Sequence, residues 1–460
     1  MSASQQKKNR RAEPAQASPK APQKQPSRAP WILGGIGAVL LLVLAVFFAV
    51  WNSGFFVRHA TAVTVGSHQL SPAEYNYFYQ NVYYNSGAQY MTDTSISLDQ
   101  QIYDEESGLT WGGYLHQETL RAIATNYAVY DEALANGFTL SQADIDLVEA
   151  DIANIALSAA SSNTSLNGYL AAVYGPGCNE DTFRDYALMM QTVSAYQTHY
   201  AENLTYEAAA LDAYYAEHAG EIDTVTYRSY SCGEDESLAQ ELKDSGDEET
   251  FAAVAMNAAG SESDSTERYA SAKASLPAAC RDWLTDPARQ YGDTETFEEN
   301  GSWTAVMFLR DDSQYNERPT VNVRHILIRD GGETTAQAVL DEYLAGEQTE
   351  DAFAELARTY TADSNAEEGG LYEGVYPGQM LRPFNDWCFD PARQPGDTDI
   401  VTTIYGQHVM YFVGEGSDTC VHARTAEALR SEDYAAWVSG FDGRLTASAQ
   451  SFGMRFTAGR

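Results

Sequence analysis

Two imidazoles stand on two β-branched runs of this 460-residue chain. His325 lies in Val321-Asn322-Val323-Arg324-His325-Ile326-Leu327-Ile328, and His408 lies in the run Ile400 to Phe412. Such runs predict strands, so two strands each carry a histidine. Between them lies Glu367-Glu368-Gly369-Gly370-Leu371-Tyr372-Glu373-Gly374-Val375-Tyr376-Pro377-Gly378-Gln379-Met380-Leu381-Arg382-Pro383-Phe384. Met380 and Phe384 are four apart at the start of a predicted helix and share one face. They are either the floor of an apolar slot or ordinary core. A metal site is not indicated, because the eight histidines are isolated along the chain and no carboxylate-histidine spacing suits a helix-borne ligand pair. Cys178, Cys232, Cys280, Cys388 and Cys420 form no Cys-x-x-Cys pair. Cys232 with Cys280 and Cys388 with Cys420 are candidate bridges, and an odd count leaves at least one thiol free or paired between chains.

Taken together, His325-Ile326-Leu327, Gly369-Gly370, Gly378-Gln379-Met380 with Phe384, and Gly406-Gln407-His408 resemble the parvulin family of peptidyl-prolyl isomerases, in family order and at family-like spacing. The resemblance runs from Thr320 to Phe412. One departure bears on the pocket wall rather than the fold: after Gly-Gly the family usually has Asp-Leu-Gly, and this chain has Leu371-Tyr372-Glu373.

The resemblance implies catalysis of rotation about X-Pro bonds. That rotation has a barrier of about 20 kcal/mol, because the amide loses resonance as it twists, and uncatalysed exchange takes tens of seconds or more. No bond breaks, so neither a nucleophile nor a cofactor is required. The site needs an apolar grip on the proline ring, a dry environment that favours the less polar twisted amide, and a few placed polar groups. By resemblance, His325 and His408 form a hydrogen-bonded pair beneath the rotating bond, orienting the site and setting its polarity. Met380 and Phe384 form the slot floor, Tyr372 its wall, and Gln379 and Thr403 belong to the substrate-binding set. Asp363 stands where family members carry Cys or Asp; it either accepts hydrogen bonds that tune the histidines or caps a turn before Ser364-Asn365. The loop Arg329-Asp330-Gly331-Gly332-Glu333 lacks the basic cluster of phosphate-directed parvulins, so no preference for phosphorylated Ser-Pro is expected.

The elements that must hold these residues begin far upstream. Up to Arg58 the chain has eight basic residues and one acidic residue, leaving 20 basic against 64 acidic beyond it. The net charge of -37 therefore sits almost wholly on one side of a boundary. A body this acidic repels nucleic acid and anionic lipid. The boundary is the apolar, uncharged run 31–51, long enough to cross a ~30 Å hydrocarbon core and bearing Trp31 and Trp51 at its ends. The preceding tail, 1–30, reads as disordered, and its Lys and Arg residues place it in the cytoplasm by the positive-inside rule, with the acidic body outside. A cleaved signal peptide is the competing reading. Residues 60–220 read as mainly helical. Ser71-Pro72-Ala73-Glu74 and Ser141-Gln142-Ala143-Asp144 are helix starts, and Gly137 ends a helix. The region looks like the N-terminal chaperone domains of SurA- and PrsA-type foldases. Its aromatics are core, or in part a cradle for unfolded polypeptide.

An internal repeat needs no family knowledge. Asp282-Trp283, Asp286-Pro287-Ala288-Arg289-Gln290 and Gly292-Asp293-Thr294 recur 104 residues later at Asp386-Trp387, Asp390-Pro391-Ala392-Arg393-Gln394 and Gly396-Asp397-Thr398. Such self-similarity implies two copies of one unit. In the first copy Ser229 stands in place of His325, and aligning Gly301 with Gly406 puts Trp303 in place of His408. Residues 223–312 therefore read as a degenerate parvulin-like domain, 319–415 as the candidate catalyst, and 417–460 as a helical segment returning to the N-terminal domain.

The expectation is an α+β protein: a single N-terminal transmembrane helix, a mainly helical SurA-like chaperone domain and two parvulin-like α+β domains. It would be a membrane-anchored extracytoplasmic foldase acting on unfolded or secreted polypeptide clients with X-Pro bonds, without cofactor, metal or nucleic acid. A homodimer is left open. The alternative is a catalytically inactive holdase built on the same scaffold.

Overall fold

The computed structural model describes residues 42–50, 54–329, 331 and 334–458. The tail 1–30 lies outside them, as does most of the expected span 31–51. Residues 42–50 are helical with exposed apolar side chains, and among the described residues no helix is long and apolar enough to cross a membrane. The chain divides into two compact units, one running to Tyr196 and resuming at Phe441, the other from Gln197 to Gly440.

The first unit is mainly helical. Helix α1 (Pro72–Asn85) starts at a capping box: Ser71 accepts the Glu74 N–H while the Glu74 carboxylate accepts the Ser71 N–H. It buries Tyr75, Tyr77, Phe78 and Tyr79 and packs on α2 (Trp111–Ala135), with the Phe78 ring 6.4 Å from that of Tyr127. The helix opened by Ser141 is α3 (Gln142–Ser161), again with a capping box. Tyr75, Tyr77, Phe78, Tyr79, Trp111, Tyr127 and Tyr196 are core, whereas Tyr84, Tyr90, Met91, Ile96, Ile102 and Tyr103 are exposed. A small sheet joins β1 (Val63–Val65) to β2 (His68–Leu70) and to a strand near the C-terminus, Ala447–Ala449.

The second unit contains the repeat as two four-stranded antiparallel sheets of identical order. In the first copy β3 (Thr224–Gly233) and β6 (Ser302–Asp311) are central, with β4 (Glu267–Ala272) and β5 (Thr294–Glu299) at the edges. In the second, β7 (Pro319–Ile328) and β10 (Gly406–Thr419) are central, flanked by β8 (Leu371–Val375) and β9 (Thr398–Thr403). Side chains alternate across the second sheet. Val321, Val323, Met410 and Phe412 pack with Phe384 and Trp387 on one face; Ile326, Ile328, Val409 and Tyr411 pack with Val339 and Phe353 on the other.

The repeated Asp-Pro-Ala-Arg-Gln segment is a structural clasp. Arg393 stacks over Trp387 at 4.1 Å and pairs with Asp390 and Asp397; Arg289 stacks over Trp283 at 4.9 Å and pairs with Asp286 and Asp293. Guanidinium, indole and two carboxylates satisfy one another locally, which explains why this segment survives in both copies when the histidines do not.

Two expectations need correction. Strand register pairs Ser229 with Val306 and Ser231 with Thr304, as His325 pairs with Met410 and Leu327 with His408. Thr304, not Trp303, therefore occupies the His408 position. Both copies close β-hairpins on two-residue turns, so the equivalence holds at 104 throughout and the glycine match was one residue out of phase. Trp303 points to the opposite face and packs with Met307 and Phe251. The helix Cys420–Ser439 packs against Ala208–Ile222, at the end of the stretch 60–220: Tyr214 and Tyr206 donate to Glu432 and Asp433, and Tyr200 stacks on Trp437 at 4.0 Å. Only the stretch from Phe441 onward joins the first unit. Second, neither candidate disulfide forms. All five thiols are free and buried, and Cys232 and Cys280 lie in cores on opposite faces of the first sheet.

Candidate active site

On the second sheet, β7 and β10 run antiparallel with Met410 opposite His325 and Leu327 opposite His408. The two histidines are thus diagonal neighbours on one face. Glycines hold the strands that close. The Gly370 carbonyl accepts the His325 N–H at 2.9 Å, and at φ 71° a side chain there would meet the His325 carbonyl at 2.2 Å. Gly406, at φ 135°, likewise lies against the Ile328 carbonyl. Only glycine fits these approaches.

His325 Nδ1 and His408 Nδ1 are 3.0 Å apart, and the rings are 2% and 6% exposed. Thr403 Oγ1 lies 2.8 Å from His408 Nε2, and the Tyr405 N–H donates to the same hydroxyl oxygen at 3.2 Å. At the other end His325 Nε2 approaches Asp363 Oδ2 at 2.9 Å, off the line of a hydrogen bond, as a charge-dipole contact. These partners assign the protons. The carboxylate requires the proton of His325 on Nε2, so Nδ1 accepts from His408 Nδ1–H, and His408 Nε2 accepts from the Thr403 hydroxyl. Every donor points toward Asp363.

Burial, and then the neighbouring His408, push His325 down from its usual 6.5 to about 4, against the pull of Asp363. Burial lowers His408 as well. Both rings are neutral at pH 7. Burial alone would raise Asp363, but the Ser364 N–H, His325 and the Tyr372 hydroxyl outweigh it and hold the carboxyl below its usual value. Asp363 accepts the Ser364 N–H at 2.7 Å and lies 2.9 Å from His325 Nε2. Tyr372 donates to Asp363 Oδ2 at 3.1 Å, and its ring lies 5.1 Å from that of His325. Burial and the Asp363 charge push its hydroxyl up to about 12.

Phe384 stands edge-on to both imidazoles, 5.5 Å from His325 and 5.6 Å from His408, and is buried. It sits in the first turns of a short helix, Arg382–Cys388, begun by Leu381 with Pro383 in its first turn. Met380 is not in that helix but in the turn ahead of it, so the two side chains converge through the loop rather than through helical spacing. Gln379 is exposed, and its side-chain carbonyl accepts the Tyr376 N–H at 3.3 Å, closing the loop.

The structure gathers all eight sequence-predicted residues, His325, Asp363, His408, Tyr372, Gln379, Met380, Phe384 and Thr403, around one cavity of about 490 Å³. Sequence reasoning missed Leu327, Leu381, Tyr405 and, above all, Tyr269, which comes from the first copy. The strand pattern of β7 contained the signal for Leu327, two residues from His325 on the same face; nothing local signalled Tyr269. Arg329 also lines the cavity, whereas Asp330, Gly332 and Glu333 lie outside the described residues. Among the described residues no cluster of His, Cys, Asp and Glu is arranged to hold a metal. An apolar pocket beneath neutral, ordered hydrogen-bonding groups can grip a ring and disfavour the polar planar amide; it contains no activated nucleophile.

Residues 308–414 match the family described as the PPIC-type PPIASE domain. No curated protein matches by sequence. Among solved structures, PrsA from Bacillus subtilis is 15% identical over 75% of this chain and 91% of its own, with a TM-score of 0.32. The peptidylprolyl isomerase PrsA from Bacillus anthracis is 21% identical over 29% of this chain, TM-score 0.22, and this chain spans 61% of its length. NmPin, the parvulin of Nitrosopumilus maritimus, is 26% identical over 21% of this chain and 97% of its own, TM-score 0.18. With the histidine pair, the paired glycines and the Phe384 slot all inside the matched segment, this chain carries a parvulin-type, PPIC-type peptidyl-prolyl isomerase domain at residues 308–414.

Proposed function

We propose that the protein is an extracytoplasmic, membrane-anchored foldase that isomerises X-Pro bonds in unfolded or secreted polypeptides through the second copy. The observation that carries the reading is the pair of buried neutral histidines ordered by Thr403 and Asp363 directly against Phe384. Such a pocket favours the twisted amide in two ways: the slot is dry, and its dipoles are fixed before substrate arrives. His325 and His408 orient the site without transferring a proton, Asp363 sets their polarity, Phe384 and Met380 hold the proline ring, Tyr372 walls the slot, and Gln379 and Thr403 shape its loops. The exposed Tyr84, Tyr90, Met91, Ile96, Ile102 and Tyr103 of the helical unit support a client-holding role, since aromatic and Met surface accommodates varied apolar partners. The basic tail and the uncharged run 31–51 support anchoring with the acidic body outside.

The test is a prolyl-isomerase assay on the full chain with unphosphorylated X-Pro peptides, beside Phe384→Ala. Acceleration by the wild type and its loss in the variant are expected. A folded wild-type protein without acceleration overturns the enzyme reading and leaves a tethered holdase.

A further inference from the structure

We propose that the first copy, having lost its own histidine pair, completes the slot of the second: Tyr269 is the wall against which the residue preceding a client's proline packs, so it selects for apolar or aromatic X-Pro segments. This rests on the reading of the second copy as a working proline site.

Tyr269 lines the cavity together with His325, Asp363, Met380, Leu381 and Phe384. Its placement is built. Between the Val225–Ser271 and Tyr227–Arg268 pairs of the first sheet, β4 carries two residues, Tyr269 and Ala270, against one, Thr226. Such a bulge re-aims a side chain out of the regular alternation. Ala270 bears it at φ 47°, a left-handed conformation unfavourable for a residue with a Cβ, and its N–H is held by Thr226 Oγ1 at 3.1 Å. The re-aimed Tyr269 hydroxyl accepts the Gly378 N–H at 3.2 Å. Gly378 has φ 97°, and a Cβ on it would come within 3.0 Å of the Ala270 Cβ, so the two copies approach closely at this point.

Ion pairs hold the wall in register with the floor. Arg382, the first residue of the Phe384 helix, makes two 2.8 Å bonds to the carboxylate of Glu248 in the first copy, and Arg310 of the first copy reaches Asp386 of that helix at 2.8 Å. The residue equivalent to Tyr269 in the second copy is Glu373, which is exposed, so the fold of a copy does not demand an aromatic here. The rim adds exposed Tyr405 and Leu381, apolar surface for the neighbour of proline, and Asp363 and Arg329 place one charge of each sign in the same lining.

The experiment compares full-length wild type, Tyr269→Ala and Tyr269→Phe on unphosphorylated Xaa-Pro peptides with Xaa as Ala, Leu, Phe or Glu. It measures kcat and KM for isomerisation, and equilibrium binding by fluorescence anisotropy of the labelled peptides. Tyr269→Ala is expected to lower kcat/KM on Leu-Pro and Phe-Pro about tenfold through KM, with under a twofold change on Ala-Pro. Tyr269→Phe, which keeps the ring, is expected to retain the preference. A uniform loss across all four peptides, no loss, or a Phe variant that behaves like Ala overturns the proposal. If wild type binds without turnover, the enzymatic reading fails, and the binding preference alone upholds or overturns the role of Tyr269. Binding of none of the four peptides overturns both.

Discussion

Ala270 and Gly374 stand at the same position of the same bulge in the two copies, at φ 47° and 65°. Each has its N–H held by the side chain of an equivalent strand residue, Thr226 for Ala270 and Asn322 for Gly374. The backbone needs a left-handed residue there, and only one copy supplies glycine.

Exchanging the two residue types separates strain from contact, because the space around Gly374 is open. Gly374→Ala is expected to destabilise by about 1–2 kcal/mol, the cost of a left-handed Cβ. Ala270→Gly is expected to change stability by no more than about 1 kcal/mol, relief of strain offsetting the freer unfolded chain. Urea denaturation of both variants checks this; equal losses would mean that the bulge of the first copy carries no strain.

Protonation of the histidine pair sets an acid limit. The native His325 value of about 4 lies below the ordinary 6.5, so the unfolded chain takes up this proton first as pH falls. The contribution of neutral His325 is therefore complete above pH 6.5 and declines between 6.5 and about 4, by on the order of 3 kcal/mol at the acid end. Imidazole NMR titration should show His325 neutral at pH 6.5 and the His408 midpoint below the ordinary value. Asp363→Asn removes a group that holds the His325 value up, so it should move that midpoint lower still and reduce isomerase kcat/KM by roughly tenfold, about 1.4 kcal/mol. A midpoint that rises in this variant contradicts the proton order.

Thr403→Val leaves buried His408 Nε2 without its donor, and a loss of about 1–3 kcal/mol in stability is expected, with Thr403→Ser restoring most of it. Thermal melts of the two variants decide; equal melting would show the hydroxyl to be unnecessary.

Glu248 ties the copies together through Arg382 and through Arg228 of its own copy. Burial alone would raise its carboxyl, but Arg382, Tyr291 and Arg228 outweigh this and hold it at about 2. Its stabilisation is present above the unfolded value of about 4.5 and is lost as pH falls toward 2. Glu248→Gln leaves two partly buried guanidinium groups facing a neutral amide, and a cost of about 2–3 kcal/mol at pH 7 is expected, shrinking at pH 3. Denaturation at the two pH values measures the difference, and an equal loss at both would argue against the charge pairing.

The sequence by itself determined what depends on local pattern. The β-branched runs marked β7, β9 and β10, the Ser71 and Ser141 capping boxes marked two helix starts, and the repeat marked two copies of one unit. The motif residues His325, His408, Gly370 and Phe384 could be read from order and spacing because strand alternation puts the histidines on one face and glycine alone fits beside the strand carbonyls. What only the tertiary structure decided depends on which distant surfaces meet. Thr304 rather than Trp303 stands opposite Ser231, because hairpin pairing and not the nearest matching glycine sets register. Met380 reaches Phe384 through a turn, because the helix begins only at Arg382. Tyr269 enters the slot of the other copy because a bulge turns it outward and the Glu248–Arg382 and Arg310–Asp386 pairs seat one copy on the other, and packing between residues 76 to 134 positions apart leaves no period in the chain.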